Sequence, residues 1–146
     1  MTAPAAISIR EMTKEDFPKI VGIFKDAFNA LGEEWTDETA TGHVTENFFE
    51  EAAWIAESEG EIVGFLMAAL AVREKGTELF IDNVVVSPKW QGQGIGKLLW
   101  QQAEAYVSKT GLVGIRLLAN RSFASYGWYE EMGFEKSGWI EMFKPA

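Results

Sequence analysis

Val84-Val85-Val86-Ser87-Pro88-Lys89-Trp90-Gln91-Gly92-Gln93-Gly94-Ile95-Gly96-Lys97 passes from three β-branched residues through a proline into three glycines in five positions. The valines predict a buried strand, and Pro88, which lacks an N–H, ends its hydrogen-bonded ladder. Beyond the glycines, Ile95, Leu98, Leu99, Ala103, Tyr106 and Val107 recur at the spacing of one buried helix face. The stretch is therefore strand, glycine turn, long helix. Glycines permit positive φ and remove the Cβ atoms that would block a ligand. Successive N–H groups at the positive end of a helix then converge on one anion, and a phosphate or pyrophosphate suits such a turn. A Walker loop would need Gly at 91 and Ser or Thr at 98, where Gln91 and Leu98 stand. A dinucleotide fingerprint opening at Gly92 would need Gly at 97, which is Lys97. The same glycines also suit a tight strand-to-helix turn with no ligand.

Working outward, Ile7 and Ile9 alternate with polar residues as a short strand. Thr13 suits the cap of a helix carrying Phe17, Ile20, Val21, Phe24, Phe28 and Leu31 on one face. Residues 39–49 predict a second helix anchored by Val44, Phe48 and Phe49. Residues 53–56 and 62–72 read as adjacent antiparallel strands around the charged, Gly60-containing turn 57–61, and residues 79–86 as a further strand. Gly111 ends the long helix; residues 113–119 predict a strand, 123–132 a short aromatic helix closed by Gly133, and 134–144 a last pair of strand pieces. The total is a mixed α/β fold. No repeat or low-complexity tract and only 4 Pro interrupt the chain, so residues 1–146 are expected to form one domain.

Composition removes whole classes of function. The chain has 146 residues, of which 47% are hydrophobic, enough for a real core. Thirteen basic residues stand against 22 acidic ones, a net charge of −9, which argues against a nucleic-acid partner. With no Cys and His43 the single histidine, disulfides, thiolate zinc sites and imidazole-rich metal sites are all excluded, so no metal is expected. The opening MTAPAAISIREMTKEDF lacks a secretory layout, and no apolar run nears the roughly 18 residues of a membrane span. A cytoplasmic protein without a membrane partner is the expectation.

Val-Val-Val-Ser-Pro followed by Gln91-x-x-Gly94-x-Gly96 and an amphipathic helix resembles the acetyl-coenzyme A signature of the Gcn5-related N-acetyltransferases. Tyr129-Glu130-Glu131-Met132-Gly133-Phe134 is similar to a second motif of that family, and the order of elements is similar over nearly the whole chain. The resemblance implies a central mixed, mostly antiparallel sheet (α+β) with a splayed strand pair and flanking helices. It implies that Val84, Val85 and Val86 offer backbone groups to the acetyl carbonyl and pantetheine arm. It also implies that Gln91, Gly92, Gln93, Gly94, Ile95, Gly96 and Lys97 wrap the pyrophosphate, and that Tyr129 protonates the departing sulfur. Members often carry Asn seven residues before this Tyr and Ala four before it, where Ser122 and Ser125 stand; Asn120 lies two residues too early and is a candidate cofactor contact.

Two polar residues, Asp82 and Asn83, interrupt the apolar strand and fit a bulge that opens a slot between strands. Asp82 is a candidate base, beside Glu33, Glu34 and Glu78, and also fits a hydrogen-bonded carboxylate at a sheet edge. A base is needed because an alkylamine of pKa about 10.4 costs roughly 4.6 kcal/mol to deprotonate at pH 7. A phenol of pKa about 10 remains a donor there, which suits Tyr129, although the ring equally suits a core. The −9 charge does not oppose an anionic cofactor, since distant carboxylates are screened beyond a Debye length of about 8 Å; Lys89, Lys97 and Arg121 add nearby positive charge. Trp35, His43, Phe48, Trp128 and Trp139 are candidate acceptor-pocket residues, with Glu33 and Glu34 to attract an ammonium group. The resulting expectation is acetyl transfer from acetyl-coenzyme A to a primary amine, with a non-catalytic acetyl-coenzyme A-binding module as the alternative. Exposed aromatics and a carboxyl-terminal strand at 140–144 further suggest a homodimer.

Overall fold

The computed structural model describes residues 6–146. The reading of residues 1–5 as part of a leaderless start lies outside them. Five strands form one sheet in the order β1-β2-β3-β4-β5, comprising β1 (Ser8–Glu11), β2 (Ala53–Ser58), β3 (Glu61–Arg73), β4 (Gly76–Val86) and β5 (Ile115–Leu117). The first four are antiparallel neighbours, and β5 pairs parallel with β4. The mixed, mostly antiparallel sheet is as expected. Helices α1 (Phe17–Asn29), α2 (Asp37–Glu46), α3 (Ile95–Thr110) and α4 (Ser125–Glu131) flank it.

Local chemistry explains most boundaries. Glu59 and Gly60 both take positive φ, 50° and 79°, so β2 and β3 are joined by the two-residue turn whose twist matches a hairpin. Thr13 does not cap α1 as predicted. It opens a 3-10 turn at Lys14–Asp16, where the Asp16 carboxylate accepts the Thr13 N–H at 2.8 Å, and α1 follows at Phe17. Arg10 holds the same carboxylate through Nη1 and Nη2 at 2.9 and 2.8 Å, stitching β1 to the start of α1. The guanidinium holds the Asp16 carboxyl below its usual range, against the opposing effect of burial.

Two apolar layers sandwich the sheet. On one side α1 and α2 bury Ile20, Val21, Ile23, Phe24, Ala40 and Val44 against Ile55, Phe65, Met67 and Val85. On the other, α3 buries Ile95, Leu99, Trp100 and Ala103 against Val63, Leu66, Leu79 and Ile81. Each large apolar side chain so buried stabilises the fold by about 1.5–3 kcal/mol.

Two predictions fail at the carboxyl-terminal end. Strand β5 has three residues in place of the expected 113–119, because β4 leaves it after Ile81 pairs with Leu117. Residues 134–144 form no strand; Trp139, Ile140, Met142 and Phe143 are 83–90% exposed. Alternating apolar residues supply a strand's pattern, but a strand exists only when a partner's backbone accepts its hydrogen bonds, and none lies alongside.

Candidate active site

The strand pair opens at one residue. Met67 of β3 faces Asn83 and the next residue, Ala68, faces Ile81, so Asp82 is the extra residue of a bulge in β4. Pairing between β4 and β5 stops at Ile81, which leaves the β4 edge from Asp82 to Val86 without a strand on that side. The predicted bulge and splay thus share a position. The bulge also switches parity: Leu79 and Ile81 before it, and Val84 and Val86 after it, pack toward α3, whereas Val85 packs toward α1 and α2.

At the far end of that edge lies the glycine turn. Gly92 and Gly94 have φ of 79° and 82°, conformations that L side chains rarely adopt, and Cβ atoms built there would meet nothing within 4 Å. Among the described residues, the N–H groups of Gly92, Gly94, Ile95 and Gly96 donate to no protein acceptor. Those of Ile95, Gly96 and Lys97 are the unpaired first turn of α3, at the positive end of its dipole. Gln91 turns its Nε2 back to the Val86 carbonyl at 3.1 Å, bracing the turn against the strand end. Gly96 is different: a Cβ there would lie 3.5 Å from Trp128 Cη2, in ordinary contact, so this position faces α4 and not open space. Exposed donors around open space fit an anionic ligand. Of the nearby cations, Lys89 pairs with Glu61 at 3.1 Å, while Lys97 and Arg121 are exposed.

Two candidate proton-transfer groups lie on opposite faces. The Asp82 Oδ2 is buried with no hydrogen-bond partner among the described residues. Burial pushes this carboxyl up, and the nearby His43 opposes the rise. His43 belongs to α2, and its Nε2 lies 2.9 Å from Asn83 Oδ1, so the α1/α2 layer touches the bulge directly. The imidazole stacks on Phe24 at 5.0 Å and meets Trp35 edge-on at 5.2 Å. Tyr129 sits on the α3 side, its ring against Trp100, Trp128 and Phe134 at 5.9, 5.4 and 5.9 Å, and burial pushes its phenol up.

The remaining candidates divide. Glu78 is held by Arg116 through two bonds of 2.7 and 2.9 Å, which lowers its pKa; a carboxylate so engaged is a poor proton acceptor. Glu33 accepts the Trp35 indole N–H at 2.6 Å, and Asn120 caps its own loop by accepting the Ser122 N–H at 2.8 Å. The aromatic set predicted for an acceptor pocket is not one group. Trp35, His43 and Phe48 lie with the α1/α2 layer, Trp128 with α3, and Trp139 stands 89% exposed. The His43–Asn83 contact was missed by sequence reasoning, since its partners are 40 residues apart and no spacing signals it.

The acetyltransferase (GNAT) family model matches residues 8–134, spanning the sheet, the glycine turn and α4. The chain belongs to the GNAT acetyltransferase family. It is 34% identical over 89 residues to N-acetyltransferase family 8 member 2 of Rattus norvegicus, which covers 58% of this chain but only 39% of the rat protein. A possible acetyltransferase from Clostridium difficile 630 superposes with a TM-score of 0.79 at 20% identity, covering 96% of this chain and 97% of that one. An aminoglycoside N-acetyltransferase in complex with CoA superposes at 0.77 with 16% identity, covering 99% and 98%. At such identities the likeness is one of fold. No helix among the described residues is long and apolar enough to cross a membrane, and no group of three or more His, Asp or Glu there is placed to hold a metal.

Proposed function

We propose that this GNAT chain transfers the acetyl group of acetyl-coenzyme A to a primary amine of a small molecule, peptide or protein. The observation that carries the reading is the coincidence at one point of β4 of the bulge, the end of β5 pairing and an orphaned carboxylate oxygen, with a turn of free N–H groups at the end of the same edge. Acetyl-coenzyme A supplies the thioester. The N–H groups of residues 92–97 hold its pyrophosphate, and the edge of β4 at Val84, Val85 and Val86, which pairs with β3 on one side and with no strand on the other, orients the arm that leads to the acetyl carbonyl. A ligand on that edge runs toward the gap at Asp82.

Asp82 receives the proton of the incoming ammonium group on the α1/α2 side of the sheet. A carboxyl raised by burial is a stronger base than a free one, which reduces the cost of deprotonating the amine. Asn83, tied to His43, keeps the bulge from sliding along β3. Tyr129 gives its proton to the sulfur on the α3 side. With its pKa raised, the phenol remains protonated throughout the neutral range. Placing base and acid on opposite faces separates the two proton transfers and leaves the gap to the reacting carbon. The aminoglycoside-modifying neighbour is consistent with an amine acceptor. The test is release of free coenzyme A thiol from acetyl-coenzyme A across a panel of amines. Binding of acetyl-coenzyme A with no amine-dependent release for any member would leave a binding module in place of an enzyme.

A further inference from the structure

We propose that the acceptor is a primary amine on a flat apolar body that ends in a carboxylate, with Phe80 carrying the body and Arg116 and Arg73 taking the carboxylate. The inference deepens the acetyl-transfer reading and rests on it. Phe80 is half-buried yet belongs to neither apolar layer of the sheet. Its place follows from register. Leu79 and Ile81 of β4, with Ile115 and Leu117 of β5, pack toward α3. Phe80 and its partner Arg116 therefore project from the opposite face, the one that carries α1, α2 and the His43 contact. On β3, Ala69, Ala71 and Arg73 share that face with Phe65 and Met67. Ala69 stands opposite Phe80 and Ala71 opposite Glu78. Two methyl groups on the β3 side leave that flank of the ring open, and an aromatic ring beside small residues is a surface for a flat apolar group.

Position ties this surface to the reacting end. Asp82 lies two residues beyond Phe80 on β4, so an amine held at Asp82 has the ring one strand repeat away, roughly 7 Å, about the span of a benzene ring with one carbon at each end. Charge defines the far end. Glu78 lies between two guanidiniums, Arg116 with Nε and Nη2 at 2.7 and 2.9 Å and Arg73 with Nε at 3.8 Å. One carboxylate against two cations leaves one positive charge unmatched, on a chain whose net charge is −9. Among the described residues, Arg116 Nη1 and the whole Arg73 guanidinium, 48% exposed, donate no hydrogen bond. A guanidinium with donors to spare takes a carboxylate through directed, charge-assisted bonds, whereas a second ammonium at this end would meet the unmatched positive charge. Glu33 and Glu34, the acids expected to draw a cationic acceptor, stand instead on the loop between α1 and α2, where the Trp35 indole already occupies Glu33.

The test is calorimetry of the full chain, in the presence of coenzyme A, with probes that share one ring and differ in the charge of the far end: para-(aminomethyl)benzoate, benzylamine and para-xylylenediamine. The expected affinities fall in that order, by about tenfold between the carboxylate and benzylamine. Arg73→Gln should shrink the ratio of these two affinities about fivefold, and Glu78→Gln, which unmasks Arg116, should enlarge it by a similar factor. A merely structural role for the cluster would move both affinities together. Phe80→Leu keeps apolar bulk and loses the flat face, so it should weaken para-(aminomethyl)benzoate about tenfold relative to ε-aminocaproate, which carries the same two charges without a ring. The wild-type ranking alone can overturn the proposal: no binding of the carboxylate probe, or a diamine that binds as tightly, refutes it whatever the variants do. Release of coenzyme A thiol from acetyl-coenzyme A with the same probes reads the transfer reaction separately. The expected ranking without release would overturn acetyl transfer and support the surface at Phe80, while release with an inverted ranking would overturn the surface alone.

Discussion

Replacing Asp82 by Asn should make the protein more stable and less active, with a difference in stability that disappears in acid. The Asp82 Oδ2 is buried without a partner, and burial holds the carboxyl above its ordinary pKa. A carboxyl whose pKa is higher in the folded than in the unfolded chain opposes folding wherever it is ionised. That penalty is full above the folded-state value, shrinks as pH falls through it, and is gone below the unfolded value of about 3.9. Because only one of the two oxygens is shut away from solvent, the penalty lies toward the low end of the cost of an unsatisfied buried group, about 1–2 kcal/mol. For a chain of this size that is a rise in Tm of roughly 3–6 °C for Asp82→Asn. Thermal melts of both proteins at pH 7.5, 6, 5 and 4 read the effect, with a gap that is widest at pH 7.5 and closes by about pH 4. In parallel, kcat for acetyl transfer should drop by about 10²–10⁴-fold, the contribution of a positioned general base. A variant that melts lower than wild type at pH 7.5 would show that the ionised Asp82 does not oppose folding, and one with unchanged kcat would remove it from proton transfer; either result refutes the reasoning.

Tyr129→Phe retains the aromatic contacts with Trp100, Trp128 and Phe134, so kcat should fall about 100-fold with KM for acetyl-coenzyme A nearly unchanged, and the alkaline fall in rate, displaced above the usual phenol range, should vanish. Gly94→Val forces a side chain into φ of +82° beside the free N–H groups and should weaken acetyl-coenzyme A binding at least about tenfold by calorimetry. Gly96→Val instead presses on Trp128 and should register first as a lowered Tm. Asp16→Asn removes the anion shared by Arg10 and the Thr13 N–H and should cost about 1–3 kcal/mol in urea unfolding at pH 7. Its carboxyl is held below the ordinary range, so that stability is complete above about pH 4 and is lost as pH falls through the lower folded-state value, where the variant and wild type should converge.

Whatever depends on neighbours within a few residues was legible in the sequence. Ile95, Leu99 and Ala103 lie on the buried face of α3 because a 3.6-residue period is a local property, although Leu98, expected there, is exposed and Trp100 is buried in its stead; Gly92 and Gly94 take positive φ because without Cβ they can do so at little cost. The bulge was legible for a similar reason, as two adjacent polar residues cannot both keep the alternation of a half-buried strand. Tertiary structure decided everything set by distant pairings. Where β4 parts from β5 depends on Leu79 meeting Ile115, and the contact of His43 with Asn83 depends on how α2 packs over the sheet. The engagement of Glu78 by Arg116, which removes one candidate base, is likewise a contact between residues 38 positions apart. Residues 134–144 mark the boundary between the two kinds of information. Alternation alone predicted strands there, but hydrogen bonding to a neighbouring edge is a property of the folded molecule, and no strand forms over these residues.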